Sequence, residues 1–337
     1  QPALASSLLQ LLDDPSVASA AWIYNQYDHM LFLSTVVGPG NDGNLIRIKG
    51  TDKAIAVSTD GNGRLCHLDP RRGSARLVFE AALNVAMTGA EPRAVVDNLN
   101  FGNPEKPAVM WQFREAIEGI SEACEALGIP VVGGNVSFYN ETDGIDIYPT
   151  PVIGLVGVVE PCPARPPRLD RAKEGMGLWL AGAPDPINMA GSAFEQVTFG
   201  HVGGRPIAPD PTMGRAAIRL ARTLVAEELS PALHDVSDGG LAVTVAEMAI
   251  ASEVGVSVQY RDWRHLFAED PHRFVFAASP ENRERIERAA DRSGIVVARI
   301  GTFEGDTIVF KRGGASAVVD LATAAETYRN AIPRRLG

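Results

Sequence analysis

The stretch Val131–Thr142, VVGGNVSFYNET, is the most informative in the chain. An apolar run leads directly into two glycines and then into Asn135, Ser137, Asn140 and Glu141. The pattern predicts a strand from Ile129 to Val132 followed by a Gly-rich turn. Glycines at a strand end let the backbone approach a ligand closely and present its N–H groups to anions. Asn135 carries a neutral carbonyl oxygen suited to Mg2+, and Ser137 a hydroxyl suited to phosphate or a polar substrate. An ordinary tight turn, capped by its own Asn and Ser, accounts for the same residues.

On either side the chain alternates strand-like and helix-like segments. Upstream, Asn44 to Lys49 and Lys53 to Ser58 read as short strands. Helical spacing runs from a Gly73-Ser74 cap to Gly89, and Ala94 to Val96 forms a brief strand. A helix spans Pro107 to Leu127, with Ile117, Ile120, Cys124 and Leu127 on one face and Gly128 as its stop. Downstream, Val152 to Val159 is a long apolar strand. The Pro-rich run Pro161-Cys162-Pro163-Ala164-Arg165-Pro166-Pro167 marks a boundary between units at 1–160 and 161–337. In the second unit, strands are expected at Leu178–Ala181, Val256–Gln259, Phe274–Ala278, Gly294–Gly301 and Thr307–Lys311. Helices are expected at Thr212–Leu229, Gly239–Glu253 and Pro280–Arg292. Both units are therefore mixed α and β.

Composition narrows the function. Among 337 residues, 31 Lys+Arg against 41 Asp+Glu leave a net charge of −10, which disfavours a nucleic-acid binder. No apolar run reaches the roughly 20 residues of a membrane span, and the start has no signal-peptide pattern. That start also lacks Met, so the chain is expected to be cut from something longer. Cys66, Cys124 and Cys162 form no CxxC, which points to a reducing, cytoplasmic setting. Walker, GxGxxG, HExxH and GxSxG patterns are absent, and the six histidines are dispersed.

Three further stretches carry chemistry. Asp97–Pro107, DNLNFGNPEKP, reads as a polar loop at a strand end, where α/β proteins tend to place ligands. A surface loop leading into a helix reads the same. Leu233–Met248, LHDVSDGGLAVTVAEM, puts Asp238-Gly239-Gly240 at a helix N-terminus able to receive an anion, or capped by Asp238 itself. His234-Asp235 within it is a general-base pair, a metal ligand or a hydrogen-bonded structural pair. Thr59–Pro70, TDGNGRLCHLDP, either holds a nucleotide phosphate through a metal at Asp60, Asn62 and Arg64 or makes a hairpin turn at Asp60-Gly61.

Taken in order, these stretches resemble the C-terminal half of phosphoribosylformylglycinamidine synthase, synthetase subunit. The matching residues begin at Tyr27-Asp28 and continue through Ser58–Arg64, Leu68–Pro70, Val96–Pro107, Val131–Thr142, Pro149–Gly154 and His234–Val243 to Tyr328–Leu336. The resemblance implies an α+β (mixed α/β) fold. It consists of an aminoimidazole-ribonucleotide-synthetase-like N-domain, pairing sheet to sheet with a second copy, and an α+β C-domain. It further implies ATP-dependent amidation of formylglycinamide ribonucleotide in purine biosynthesis, with ATP and Mg2+. Partners would be the N-terminal half, a glutaminase subunit and a small bridging subunit. By motif, Asp97 and Gly134 look like ATP contacts, Asn135 like a Mg2+ ligand and Ser137 like a substrate contact. The family's catalytic histidines lie in the other half, so no catalytic residue is expected here. Ala268-Glu269-Asp270-Pro271 stands where the first half has a Glu-Ser-Gln substrate motif, and substrate binding is expected to be lost there. Asp60 and Asp235 are candidates for an auxiliary nucleotide site. The rival readings are a non-catalytic scaffold half and a stand-alone homodimeric kinase or cyclo-ligase of the same superfamily.

Overall fold

The computed structural model describes residues 3–337, and Gln1 and Pro2 of the Met-less start lie outside the described residues. The chain opens with helices α1 (Leu4–Asp13) and α2 (Ala21–Tyr24). Strands β1 (Thr35–Val37), β2 (Asn44–Arg47) and β3 (Ala54–Asp60) follow, then helices α3 (Gly63–Leu68) and α4 (Pro70–Met87). Next come β4 (Glu91–Asn100), α5 (Pro107–Leu127) and β5 (Val131–Ser137). The short pair β6 (Glu141–Thr142) and β7 (Ile145–Asp146) leads into β8 (Thr150–Val159). Strand β9 (Gly177–Ala181) opens a second sheet, followed by α6 (Ala193–Phe199), α7 (Pro211–Ala226), β10 (Ala232–Asp235) and α8 (Gly240–Ser252). Then come β11 (Val256–Gln259), α9 (Arg264–Phe267), β12 (Phe274–Ala278) and α10 (Arg283–Ser293). The chain closes with β13 (Val297–Phe303), β14 (Thr307–Arg312), β15 (Ala315–Asp320) and α11 (Leu321–Leu336). Among the described residues, no helix is long and apolar enough to cross a membrane.

The first sheet runs β1-β2-β3-β8-β4-β5, antiparallel except for the parallel β4–β5 pair at its edge. The second runs β10-β12-β9-β13-β11-β14-β15. Strand period then distributes the apolar residues. On β9 and β12, Trp179, Ala181, Phe274 and Phe276 enter one core, shared with α4, α7 and α10. Their neighbours Leu178, Leu180, Val275 and Ala277 enter the other, shared with α8 and α11. The helices of the first core therefore lie between the two sheets. Leu4, Leu8, Leu11 and Leu12 of α1 join the second core. Helix α1 thus packs with the second sheet's core, because the Leu stripe finds its apolar partners there.

Local chemistry explains the helix ends. Asp69 accepts from the Arg72 amide ahead of Pro70 at the first turn of α4, so that helix begins earlier than the expected Gly73-Ser74 cap. In α5, Pro107 occupies the first turn and Gly128 takes the left-handed conformation at the end, as expected. Two expected loops are strand instead. Strand β4 runs through Asp97, Asn98 and Asn100, and β5 runs through both glycines to Ser137. Asn is a poor strand residue. Here β4 is held by ladders to β8 on one side and β5 on the other, and Asn100 Nδ2 donates to the carbonyls of Asn98 and Thr150.

Candidate functional site

The four motifs meet in pairs. DNLNFGNPEKP and VVGGNVSFYNET lie side by side as β4 and β5, with Asp97 opposite Gly134, Asn98 opposite Asn135 and Asn100 opposite Ser137. Lys106 clasps the two segments through Glu141 Oε2 at 3.1 Å and Asp146 Oδ2 at 2.9 Å. Asn140 Nδ2 donates to the Phe101 and Ser137 carbonyls, both at 2.9 Å, which pins the turn after β5.

Register divides the predicted site residues between two faces. Asp60, Ile153, Asp97 and Gly134 form one row across β3, β8, β4 and β5 on the helix-covered face. A Cβ on Gly134 would overlap the Asp97 carboxylate, so glycine leaves that carboxylate room in its present rotamer. Asp97 is half-buried, and partial burial raises its carboxyl above the usual range. No salt-bridging cation accompanies it among the described residues. On the other face, Val152, Asn98 and Asn135 form one row and Thr150, Asn100 and Ser137 the next. Asn135 Nδ2 donates to Asn98 Oδ1 at 3.1 Å, leaving the Asn135 carbonyl oxygen open to solvent. Among the described residues no α-helix covers this face. Exposed Ile46 and Val96 and half-exposed Ile55, Val57, Val152 and Val156 continue it as an apolar surface. Gly134, Asn135 and Ser137 all lie on the edge strand, whose outer backbone groups have no ladder partner.

TDGNGR and HDVSDGGLAV meet in a second, buried place. TDGNGR is not a hairpin: β3 passes straight into α3, with Asn62 as the cap accepting from the Leu65 amide. Arg64 Nη2 reaches Asp238 Oδ1 at 2.7 Å and Glu269 Oε2 at 3.8 Å, and Asn62 Nδ2 donates to Asp238 at 2.9 Å. Glu269 Oε1 accepts from the Gly239 and Ala193 amides, each at 2.7 Å. The helix end expected to receive an anion thus already holds one from the chain itself. Sequence reasoning gave no role to Glu269, Glu80, Arg76 or Arg273 around this junction. Their only sequence signal is charge inside otherwise apolar stretches.

The junction is strongly acidic for its burial. Burial, reinforced by neighbouring carboxylates, pushes Glu80 up to about 8 and Glu269 up to about 7, and drives Asp60 well above its usual range. Such groups hold protons in the folded state that the unfolded chain has released, so stability falls as pH rises toward their folded values. His272, pushed down to about 4 by burial, acts in the opposite sense, but only below about pH 6.5. Between pH 6.5 and 8 the protein is therefore expected to lose on the order of 2–4 kcal/mol. Urea unfolding across that range measures it. Glu80→Gln should flatten the slope, and an unchanged slope would contradict the assignment.

This arrangement, one mixed sheet with an uncovered face followed by a second sheet and its helices, is that of the AIR synthase related proteins. The model of their N-terminal domain matches residues 40–159, and that of their C-terminal domain residues 173–312. The chain belongs to this family, and it is similar to phosphoribosylformylglycinamidine synthase subunits. It is 44% identical over 331 residues to the subunit PurL of Moorella thermoacetica, covering 97% of this chain and 45% of that protein. It is 39% identical over 337 residues to that of Thermobifida fusca, covering 99% and 44%. The chain thus spans a little under half the length of the curated relatives it matches. Among solved structures, Thermotoga maritima PurL complexed with FGAR superposes with a TM-score of 0.76 at 16% identity, covering 96% of this chain and 54% of that one. A chain of the HypE–HypF complex gives 0.65 at 16%, covering 89% and 97%. These two likenesses speak for the fold alone.

Proposed function

We propose that this chain supplies the C-terminal half of a phosphoribosylformylglycinamidine synthase, a cytoplasmic ligase of purine biosynthesis. The reaction is the ATP-dependent amidation of formylglycinamide ribonucleotide. ATP phosphorylates the glycinamide carbonyl oxygen and leaves as ADP, and ammonia from a glutaminase subunit, docked with a small bridging subunit, displaces the phosphate to give the amidine. The observation that carries the reading is the uncovered sheet face with its polar rows at one end. Its apolar part suits a second sheet, that of the N-terminal half, laid against it. The adjoining Asn98–Asn135 and Asn100–Ser137 rows would then line the seam.

The candidate contacts lie on both faces of the edge strand, so ligands reaching all of them would have to wrap that edge of the sheet. Asp97 and Gly134 would meet ATP, and the open carbonyl oxygen of Asn135 would hold Mg2+, which offsets triphosphate charge when bound. Ser137, held by Asn140, would contact the ribonucleotide. Asp97→Ala in the full-length enzyme is expected to lower kcat/KM for ATP by about 10- to 100-fold, the loss of one hydrogen bond to a charged group. Its melting temperature should stay near wild type, and unchanged ATP kinetics would remove Asp97 from the site. The catalytic residues are assigned to the other half. The isolated chain, given ATP, Mg2+, ammonia and substrate, is therefore expected to show no turnover, and measurable turnover would overturn that assignment.

Within that scheme, the buried junction favours a scaffold role over an auxiliary nucleotide site at Asp60 and Asp235. The Gly239 and Ala193 amides that would receive a phosphate already bind Glu269. Titration of the isolated chain with ADP and Mg2+ tests this. Absence of binding is expected, and tight binding would favour the auxiliary site.

A further inference from the structure

His234 has no part in the proposed reaction, yet it is buried among carboxylates from three parts of the chain. Its Nδ1 lies 2.8 Å from Asp42 Oδ1 and 3.6 Å from Asp235 Oδ1, and these side chains are 8%, 10% and 6% exposed. One ligand atom from each of the three residues falls within 4.8 Å of the others. Nδ1 is shut off from water and makes no hydrogen bond, although Asp42 Oδ1 is close. A buried ring nitrogen at ion-pair distance from one carboxylate and close to a second, with no aligned hydrogen bond to either, calls for an occupant between them.

We propose that His234 Nδ1, Asp42 and Asp235 bind a divalent transition-metal ion of the Zn2+ type. Metal bonds of about 2.0–2.2 Å set neighbouring ligand atoms roughly 3.0–3.5 Å apart, and the two measured separations bracket that range. The second ring nitrogen is arranged as metal-ligating histidines require. Nε2 pairs with Glu247 Oε2 at 2.9 Å, and Glu247 Oε1 accepts from the Tyr328 hydroxyl at 2.8 Å. A carboxylate on the far nitrogen fixes the tautomer that frees Nδ1 for the metal. The carboxylates are oriented too: the Asp235 amide donates to Asp42 Oδ2 at 3.2 Å, and Ser237 Oγ donates to Asp235 Oδ1 at 3.2 Å. An imidazole in the ligand set separates this site from the all-oxygen shell that Mg2+ prefers.

The ion would tie the loop before β2 to β10 and, through Glu247 and Tyr328, to α8 and α11. It is therefore a structural staple between the two sheets, independent of the proposed reaction. The competing occupant is a proton, with imidazolium held between Asp42 and Glu247.

The purified protein, stripped with chelator, is titrated with Zn2+ in competition with a chromophoric chelator. One Zn2+ per chain and a raised melting temperature are expected, undisturbed by excess Mg2+. Asp42→Asn and His234→Gln should each abolish the site. Glu247→Gln should retain the stoichiometry but weaken binding about 10- to 100-fold. If His234→Gln fails to fold, Asp42→Asn on its half-buried loop still decides. Absence of stoichiometric Zn2+ in the wild type would establish the proton as occupant and overturn the proposal. Zn2+ binding unchanged in Asp42→Asn would overturn it as well.

Discussion

Replacing Arg64 with methionine is expected to destabilise the protein by about 3–5 kcal/mol, the usual cost of removing one partner from a buried ion pair. Arg64 is 9% exposed and holds the junction together: its Nε donates to the Gly191 carbonyl at 3.1 Å while Nη2 bridges Asp238 and Glu269. Methionine keeps most of the apolar stem but leaves two carboxylates without their cation. The effect should depend on pH in a defined direction. Glu269 titrates at about 7 with Arg64 present, and without it the carboxyl shifts higher. At pH 6 a proton substitutes for the lost guanidinium, whereas at pH 8 it does so less, so the loss should be larger at pH 8. Adding Glu269→Gln to Arg64→Met removes one of the stranded charges and should recover part of the stability. Urea unfolding of the single and double variants measures both terms. A loss below about 1 kcal/mol at pH 8 would mean that water already screens the junction.

Arg64 also illustrates which parts of the molecule were legible in the sequence. That TDGNGR and HDVSDGGLAV carry chemistry was readable from residue types alone, but their meeting at Arg64–Asp238 joins positions 174 apart and has no local signal. Helix α5 was read with its correct ends because Pro107 and Gly128 act on their own turn of backbone. Strands β4 and β5 extend beyond their sequence signal for the opposite reason. Asn98, Asn100, Gly133 and Gly134 have weak strand preference, and non-local ladders override it. The division of the candidate site follows from those ladders. Once Val131–Ser137 is a strand, its period of two must send Gly134 and Asn135 to opposite faces. The i, i+4, i+7, i+8 stripe of Leu4, Leu8, Leu11 and Leu12 was present in the sequence. Its partner, the second core, was not.

Phe276→Ala should cost about 3–5 kcal/mol, the range for deleting a buried aromatic ring. Phe276 is fully buried on β12, one strand in from the β10 edge of the second sheet, paired with Trp179 of β9 in register and stacked on it at 6.2 Å with an interplanar angle of 12°. Its ring points into the core shared with the helices between the sheets, while its neighbours Val275 and Ala277 point into the other. The cavity therefore opens where the two sheets are coupled. Ladders on both sides hold β12, so the backbone cannot close over the space. Phe276→Leu should cost clearly less, because it restores most of the volume. Both variants should shift the urea midpoint with the slope unchanged if the sheets unfold together. If Phe276→Ala instead splits the transition in two, the inter-sheet core does not couple the two sheets, and α1 should then follow the second sheet, where its leucines are buried.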